Sequence, residues 1–456
     1  MGFILTLLYI SLALLSTERL LPSLKEYRVE LVVAVVAVLC SLPGFLDRRF
    51  YRTPQVYLLG GMLSAVFVSQ VLDSYWLGGG FLALQQFLSF SVVFFLVLFN
   101  CQSLRRLKIL ALLLVLIALA YILEGSRAYL TGDVTSPLLI VIPAHDGGVS
   151  FRMQGQGFLY DPNDLAQFLV MTLPFIWMGW QQRANLRNLF LVVAPTALFV
   201  WGIYLTHSRG GMLAMVVILM FALSRRLKPV LTAIGGGLAL AAGLALNFSG
   251  GREISVKSGS DRLTFWGDGL QMFKQSPIFG IGFHNFGGHD FGHTAHNSFV
   301  VCLAELGLFG YLPWIGLMVF TLAGLTSLIR MAKPKLQLGS EKRKSGDFDP
   351  TVRSANESLD LPEGELAEVE RWAWAFRISI AGFITAGMFL SRAYVITLYV
   401  VLGMAVSLFW LVSSEDRPIV REPARRLLKL TVAMGVGVIA AIYLTLRLRG
   451  VLSFLG

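Results

Sequence analysis

FLALQQFLSFSVVFFLVLF, residues 81–99, contains no charged residue and is long enough to cross the hydrocarbon core of a bilayer as one helix. Backbone polar groups find no water inside a bilayer, so such a run satisfies them internally and folds as a helix. Comparable runs recur on both sides, at 2–17, 30–46, 55–72, 107–123, 163–180, 188–206, 210–224, 229–247, 308–329, 374–391, 394–413 and 430–446. Span 2–17 lacks both a preceding basic residue and a following small-residue cleavage site, which argues against a cleaved signal peptide. Apolar residues make up 55% of the chain and charged residues 14%, a balance no soluble domain of this length is expected to have. The expected fold class is an all-α integral membrane protein with about 12–14 transmembrane helices and a large loop on one side.

Charge sets the expected orientation. With the N-terminus in the cytoplasm, the inner segments hold 25 of the 38 Lys and Arg residues and the outer segments 13. Every short inner loop is basic, including Arg48, Arg49 and Arg52, then Arg105, Arg106 and Lys108. The net charge of +11 therefore reflects membrane topology and gives no reason to expect a nucleic-acid partner. The three cysteines lie in or beside apolar spans without metal-site or disulfide spacing.

This topology divides the chain into N-terminal helices (1–123), an outer loop (124–162) and helices with an outer SRGG turn (163–247). A large outer loop (248–307), one helix (308–329), a cytoplasmic linker (330–373) and C-terminal helices (374–456) follow. All six histidines fall on the outer side, four of them within GIGFHNFGGHDFGHTAHNSF, residues 280–299. The spacing of His284, His289, His293 and His296 does not match the regular patterns of zinc sites. His296 differs from the rest because it directly precedes the apolar run SFVVCLAELGLFG, which fixes it at a helix start, with Asn297 beside it and His293 nearby. A neutral imidazole there can take a proton from an incoming hydroxyl.

Three arginines share that side. Arg209 lies in SRGG between two spans, Arg262 opens an amphipathic stretch with Leu263, Phe265, Trp266, Leu270 and Phe273, and Arg152 lies in FRMQGQGF. A guanidinium is always charged and its fork suits phosphate oxygens, so together they suggest a site for a lipid-borne phosphate or pyrophosphate. In YDPNDLAQF, residues 160–168, Asp161 and Asn163 are placed to cap a helix, to touch substrate, or both. Glu305 either faces the site or packs helices.

The order SRGG (208–211), an Arg-containing aromatic helix, PIFGIGF (277–283), then HNSF and AELGLFG (296–310) resembles the O-antigen ligase and O-antigen polymerase superfamily, as does DPNDLA (161–166). The resemblance covers roughly residues 150–325. It implies an all-helical, GT-C-like glycosyltransferase working without metal or other cofactor at the periplasmic face of a bacterial inner membrane. It implies a glycan donor on undecaprenyl diphosphate and an acceptor hydroxyl on lipid A–core, a growing polysaccharide or a protein. Arg209 and Arg262 would grip the diphosphate and His296 would act as base, with inversion at the sugar. His284, His289 and His293 are not part of that family pattern. Two other readings are a flippase for lipid-linked sugars and a metal-dependent periplasmic hydrolase built on the histidine cluster. A flippase would be expected to carry ionisable residues within its spans, whereas here they sit at the outer lip or in inner loops.

Overall fold

The computed structural model describes residues 1–16, 28–143, 149–224, 231–232, 235–237, 256–288, 294–345, 361–413 and 423–450. It is an all-α membrane bundle. Its helices are α1 (Gly2–Leu15), α2 (Val29–Ser41), α3 (Pro54–Ser74), α4 (Leu77–Asn100), α5 (Leu104–Thr131) and α6 (Pro162–Trp177). They continue with α7 (Asn185–Leu205), α8 (Arg209–Leu223), α9 (Val256–Gln275), α10 (Ser298–Ser345), α11 (Glu363–Gly387), α12 (Ile396–Val412) and α13 (Ala424–Leu448).

Among the described residues, seven stretches are long and apolar enough to cross a membrane: Val29–Leu46, α3, α4, α5, α7, Ser298–Ala332 and α13. α1, α8 and α12 are shorter apolar helices. The span expected at 229–247 lies outside the described residues, apart from 231–232 and 235–237.

Local chemistry sets several helix starts. Pro54 and Pro162 occupy first-turn positions, where the missing N–H costs nothing. Ser103, Asp161 and Ser208 cap α5, α6 and α8 by accepting backbone N–H groups that no earlier carbonyl could satisfy. The segment expected as a loop from 124 is partly regular. α5 runs on to Thr131 before a left-handed Gly132 ends it, and β1 (Leu139–Pro143) pairs antiparallel with β2 (Val149–Met153). The β-branched and aromatic residues of LIVIP and VSFRM suit that ladder, which pairs Ile140 with Arg152.

α10 packs along α3, α11 and α13, while α12 lies on α4 and α8 on α11 and α6. Trp314, Trp372, Phe87, Phe94 and Phe383 are fully buried among these helices. At one end of the bundle, Asn100 Nδ2 donates to Ser41 Oγ at 2.7 Å, Arg49 Nη1 donates to the Trp410 carbonyl at 2.9 Å, and Lys108 pairs with Glu368. The opposite end carries the hairpin, α9 and the residues discussed next. The segment expected as a cytoplasmic linker is helical through residue 345, and α11 begins at Glu363 and runs unbroken past Trp372 and Trp374, with residues 346–360 outside the described set.

Candidate functional site

The site is organised by a break in its longest helix. At Gly307, α10 adopts φ 57° and ψ −164°, which interrupts its hydrogen-bond ladder. The groups freed there are taken up by the segment 277–282. Ile281 N–H donates to the Ala304 carbonyl at 2.9 Å and Gly282 N–H to the Glu305 carbonyl at 3.1 Å. In return, Leu308 N–H donates to Pro277 and Phe309 N–H to Ile278, both at 2.9 Å. A Cβ on Gly280 would overlap the Glu305 carbonyl, and one on Gly307 would overlap the Ile278 carbonyl. Both glycines also have positive φ, so PIFGIGF and AELGLFG need glycine for close approach and for conformation at once. Glu305, 3% exposed, is buried at this junction, its backbone carbonyl engaged by Gly282 and its Oε2 without a hydrogen-bond partner among the described residues.

His296 sits where this loop returns to α10. Its backbone is left-handed at φ 49°, a conformation that costs a non-glycine residue about 1–3 kcal/mol and persists only when its surroundings enforce it. The surroundings are visible. His296 N–H donates to Ser391 Oγ at 2.6 Å, and Ser391 Oγ donates to Thr294 Oγ1 at 2.7 Å. Fully buried Asn297 accepts the N–H groups of Phe299 and Val300 at 2.9 and 3.3 Å and caps α10, while its own Nδ2 has no partner among the described residues. Ser298 Oγ donates to the Leu390 carbonyl at 2.7 Å and accepts from Arg392 N–H at 3.0 Å. The half-buried imidazole faces Phe265 of α9, with ring centroids 6.5 Å apart. All three described histidines, His207, His284 and His296, are left-handed.

α9 lies over this turn. Trp266 Nε1 donates to the Ala295 carbonyl at 2.9 Å, and Gly269 lets the helix approach Val300 closely. Arg262 precedes Phe265 by three residues and therefore shares its side of the helix. The expected amphipathic segment is real, and it begins earlier than Arg262, at Val256.

Arg209 opens α8, whose first turn is capped by Ser208 Oγ accepting from Gly211 N–H at 3.2 Å. Gly210 packs against Phe389 and Leu390, so Arg209 starts its helix beside the 389–392 turn that holds His296. Arg152, 9% exposed, stands behind it, with Nε donating to the Thr206 carbonyl at 2.9 Å and Nη2 reaching Asn163 Oδ1 at 3.5 Å. Asn163 Oδ1 also accepts from Ser208 Oγ at 2.8 Å. Two of the Arg152 donors are thus engaged in bracing the turn ahead of Arg209. Asp161 accepts the Asn163 N–H at 2.7 Å and caps α6. His293 and His289 lie outside the described residues. Among the described residues, no three His, Cys, Asp or Glu side chains are grouped to hold a metal ion.

Sequence reasoning missed the charge pair at the centre. Arg392 Nε meets Asp164 Oδ1 at 2.6 Å, joining the turn after α11 to the first turn of α6. His284, stacked on Phe283 with centroids 4.0 Å apart, has its pKa pushed down, first by burial of the ring and then by the Arg392 charge. The available signal was a Ser-Arg pair, Ser391 and Arg392, between two apolar runs on the same side as SRGG.

Compared with known proteins, residues 194–315 match the family model described as O-antigen ligase. This stretch runs from α7 through Arg209, α9 and the histidine loop into α10, and so contains Arg209, Arg262, His296 and Glu305. No curated protein matches the chain.

Proposed function

We propose that this chain, whose residues 194–315 match the O-antigen ligase family model, is an enzyme that moves a preassembled glycan from undecaprenyl diphosphate to an acceptor hydroxyl at the periplasmic face of the bacterial inner membrane. The observation that carries the reading is the enforced left-handed turn at His296, held by Ser391 and facing α9, with Arg209 and Arg262 arriving from two different helices.

In this mechanism the acceptor oxygen attacks the anomeric carbon of the glycan as the bond from that carbon to the diphosphate oxygen breaks. The hydroxyl proton passes to the His296 imidazole, and undecaprenyl diphosphate leaves with the bonding electron pair. Attack opposite the leaving group inverts the anomeric centre. Arg209 and Arg262 hold the diphosphate, whose negative charge grows as the bond breaks, and that growth is what makes their contribution catalytic. Each charge-assisted contact is worth about 1.5–3 kcal/mol. Diphosphate is already a good leaving group, so the reaction calls for no strong acid. Arg152 and Asn163 act behind the site by fixing the turn that presents Arg209, Asp161 caps the helix that carries Asn163, Asn297 caps α10 where the histidine loop ends, and Glu305 lies buried at the other end of that loop. The acceptor class comprises lipid A–core, a growing polysaccharide and a protein hydroxyl.

The test is glycan transfer from undecaprenyl-diphosphate-linked donor by purified His296→Ala, Arg209→Ala, Arg262→Ala and wild-type protein, each with and without EDTA. Loss of transfer in all three variants, with wild-type turnover indifferent to EDTA, is the expected result. A fully active His296 variant would remove the proposed base, and dependence on added metal would favour a hydrolase built on the histidine loop.

A further inference from the structure

Resting on that reading, we infer that Arg392 is a third contact to the donor diphosphate and that Asp164 positions it there. The pair is asymmetric. Asp164 is 5% exposed and belongs to the buried face of α6, whereas the Arg392 side chain is 48% exposed. The carboxylate oxygen stands 2.6 Å from Nε as an ion pair without hydrogen-bond geometry, and no hydrogen bond is made by the two terminal nitrogens among the described residues. An ion pair at the Nε end leaves the two terminal nitrogens for bidentate capture of phosphate oxygens.

The backbone on either side fixes where that fork stands. Arg392 N–H is bound to Ser298, two residues after His296, and the preceding Ser391 Oγ accepts the His296 N–H. The arginine is therefore tied directly to the backbone that carries the base. Its charge is felt at His284 across the mouth of the loop. The packing of Gly210 against Phe389 and Leu390 brings the start of α8, and with it Arg209, to the same turn. Three cations then come from three separate elements: Arg209 from α8, Arg262 from α9 and Arg392 from the α11–α12 turn. A bond between Arg392 and Asp164 serving only to tie helices would not need half of the arginine open to solvent.

The experiment uses the full chain in lipid nanodiscs and measures binding of two probes, undecaprenyl diphosphate and undecaprenyl monophosphate, with thermal melting recorded in parallel. Arg392→Ala is expected to weaken diphosphate binding about 10- to 100-fold, the loss of one charge-assisted contact, and monophosphate binding by less. Arg392→Lys is expected to recover only part of the loss, because an ammonium keeps the charge without the fork. Unchanged diphosphate binding in Arg392→Ala overturns the inference, as does an equal loss for both probes accompanied by a lowered melting temperature. If Arg392→Ala does not fold, Arg392→Lys decides, and wild-type affinity in that variant overturns the bidentate contact. A folded wild-type protein with no preference for diphosphate over monophosphate defeats instead the broader reading of the site, and so the two failures are distinguishable.

Discussion

Replacing Gly280 with alanine tests whether the histidine loop owes its place to the break in α10. The added methyl meets the Glu305 carbonyl, a backbone atom that cannot rotate away, and it does so at φ 75°, where side chains are disfavoured. The left-handed backbone alone costs an alanine about 1–2 kcal/mol. Relieving the overlap requires the loop to lift, which breaks the Ile281–Ala304 and Gly282–Glu305 hydrogen bonds at a net cost of about 0.5–1.5 kcal/mol each. The total is roughly 2–5 kcal/mol, spent locally, which uncouples the loop without unfolding the bundle. Glycan transfer should fall by about 100-fold or more, and amide exchange should accelerate across 277–286. Gly287 offers a control within the same loop, since a Cβ there meets nothing within 4 Å, so Gly287→Ala should transfer normally. Wild-type transfer and exchange in Gly280→Ala, or equal damage from Gly287→Ala, would refute the reasoning.

Two further outcomes follow from the site. Burial and then Arg392 keep His284 neutral further into acid than an ordinary histidine. As pH falls through about 6.5 the unfolded chain takes the proton while the folded one does not, so stability drops there and levels off below the folded pKa. Arg392→Gln removes the smaller cause and should move the His284 midpoint part of the way back up, as read by NMR of ring-labelled histidine; an unmoved midpoint contradicts the electrostatic link. Asp161→Ala should cost about 1 kcal/mol through the lost cap and lower the melting temperature while leaving transfer intact. Asn163→Ala should lower transfer as well, because it releases Ser208 and Arg152 from the turn ahead of Arg209. Equal effects on transfer would remove that distinction.

The helices were legible because uncharged runs such as 81–99 carry their meaning locally: length and apolarity are properties of the run itself. The position of His296 and Asn297 directly before a helix was legible for a similar reason, since both are polar residues ahead of an apolar run. The hairpin was harder to see, because its two short strands are separated by the turn-rich PAHDGG and only their pairing makes them strands. Arg392 and Asp164 were not legible. In sequence, one is a lone arginine between two spans and the other an aspartate in the first turn of a helix; their meaning comes from a contact across the bundle that no local pattern encodes. Arg152 was visible as a cation, yet its engagement with Thr206 and Asn163 depends on the hairpin that brings it there.

The ties from Ser391 and Arg392 to the His296 turn span 95 and 94 residues of chain. A ribosome making this protein therefore delivers His296, the arginines of α8 and α9 and the whole histidine loop well before the turn that fixes His296 exists. Until α11 has crossed back, nothing among those later residues holds His296 in its left-handed turn. Completion of the proposed site is thereby deferred to the last stage of membrane insertion, and a nascent chain carrying only the family-matching segment would hold His296, Arg209 and Arg262 without the brace at Ser391 and Arg392.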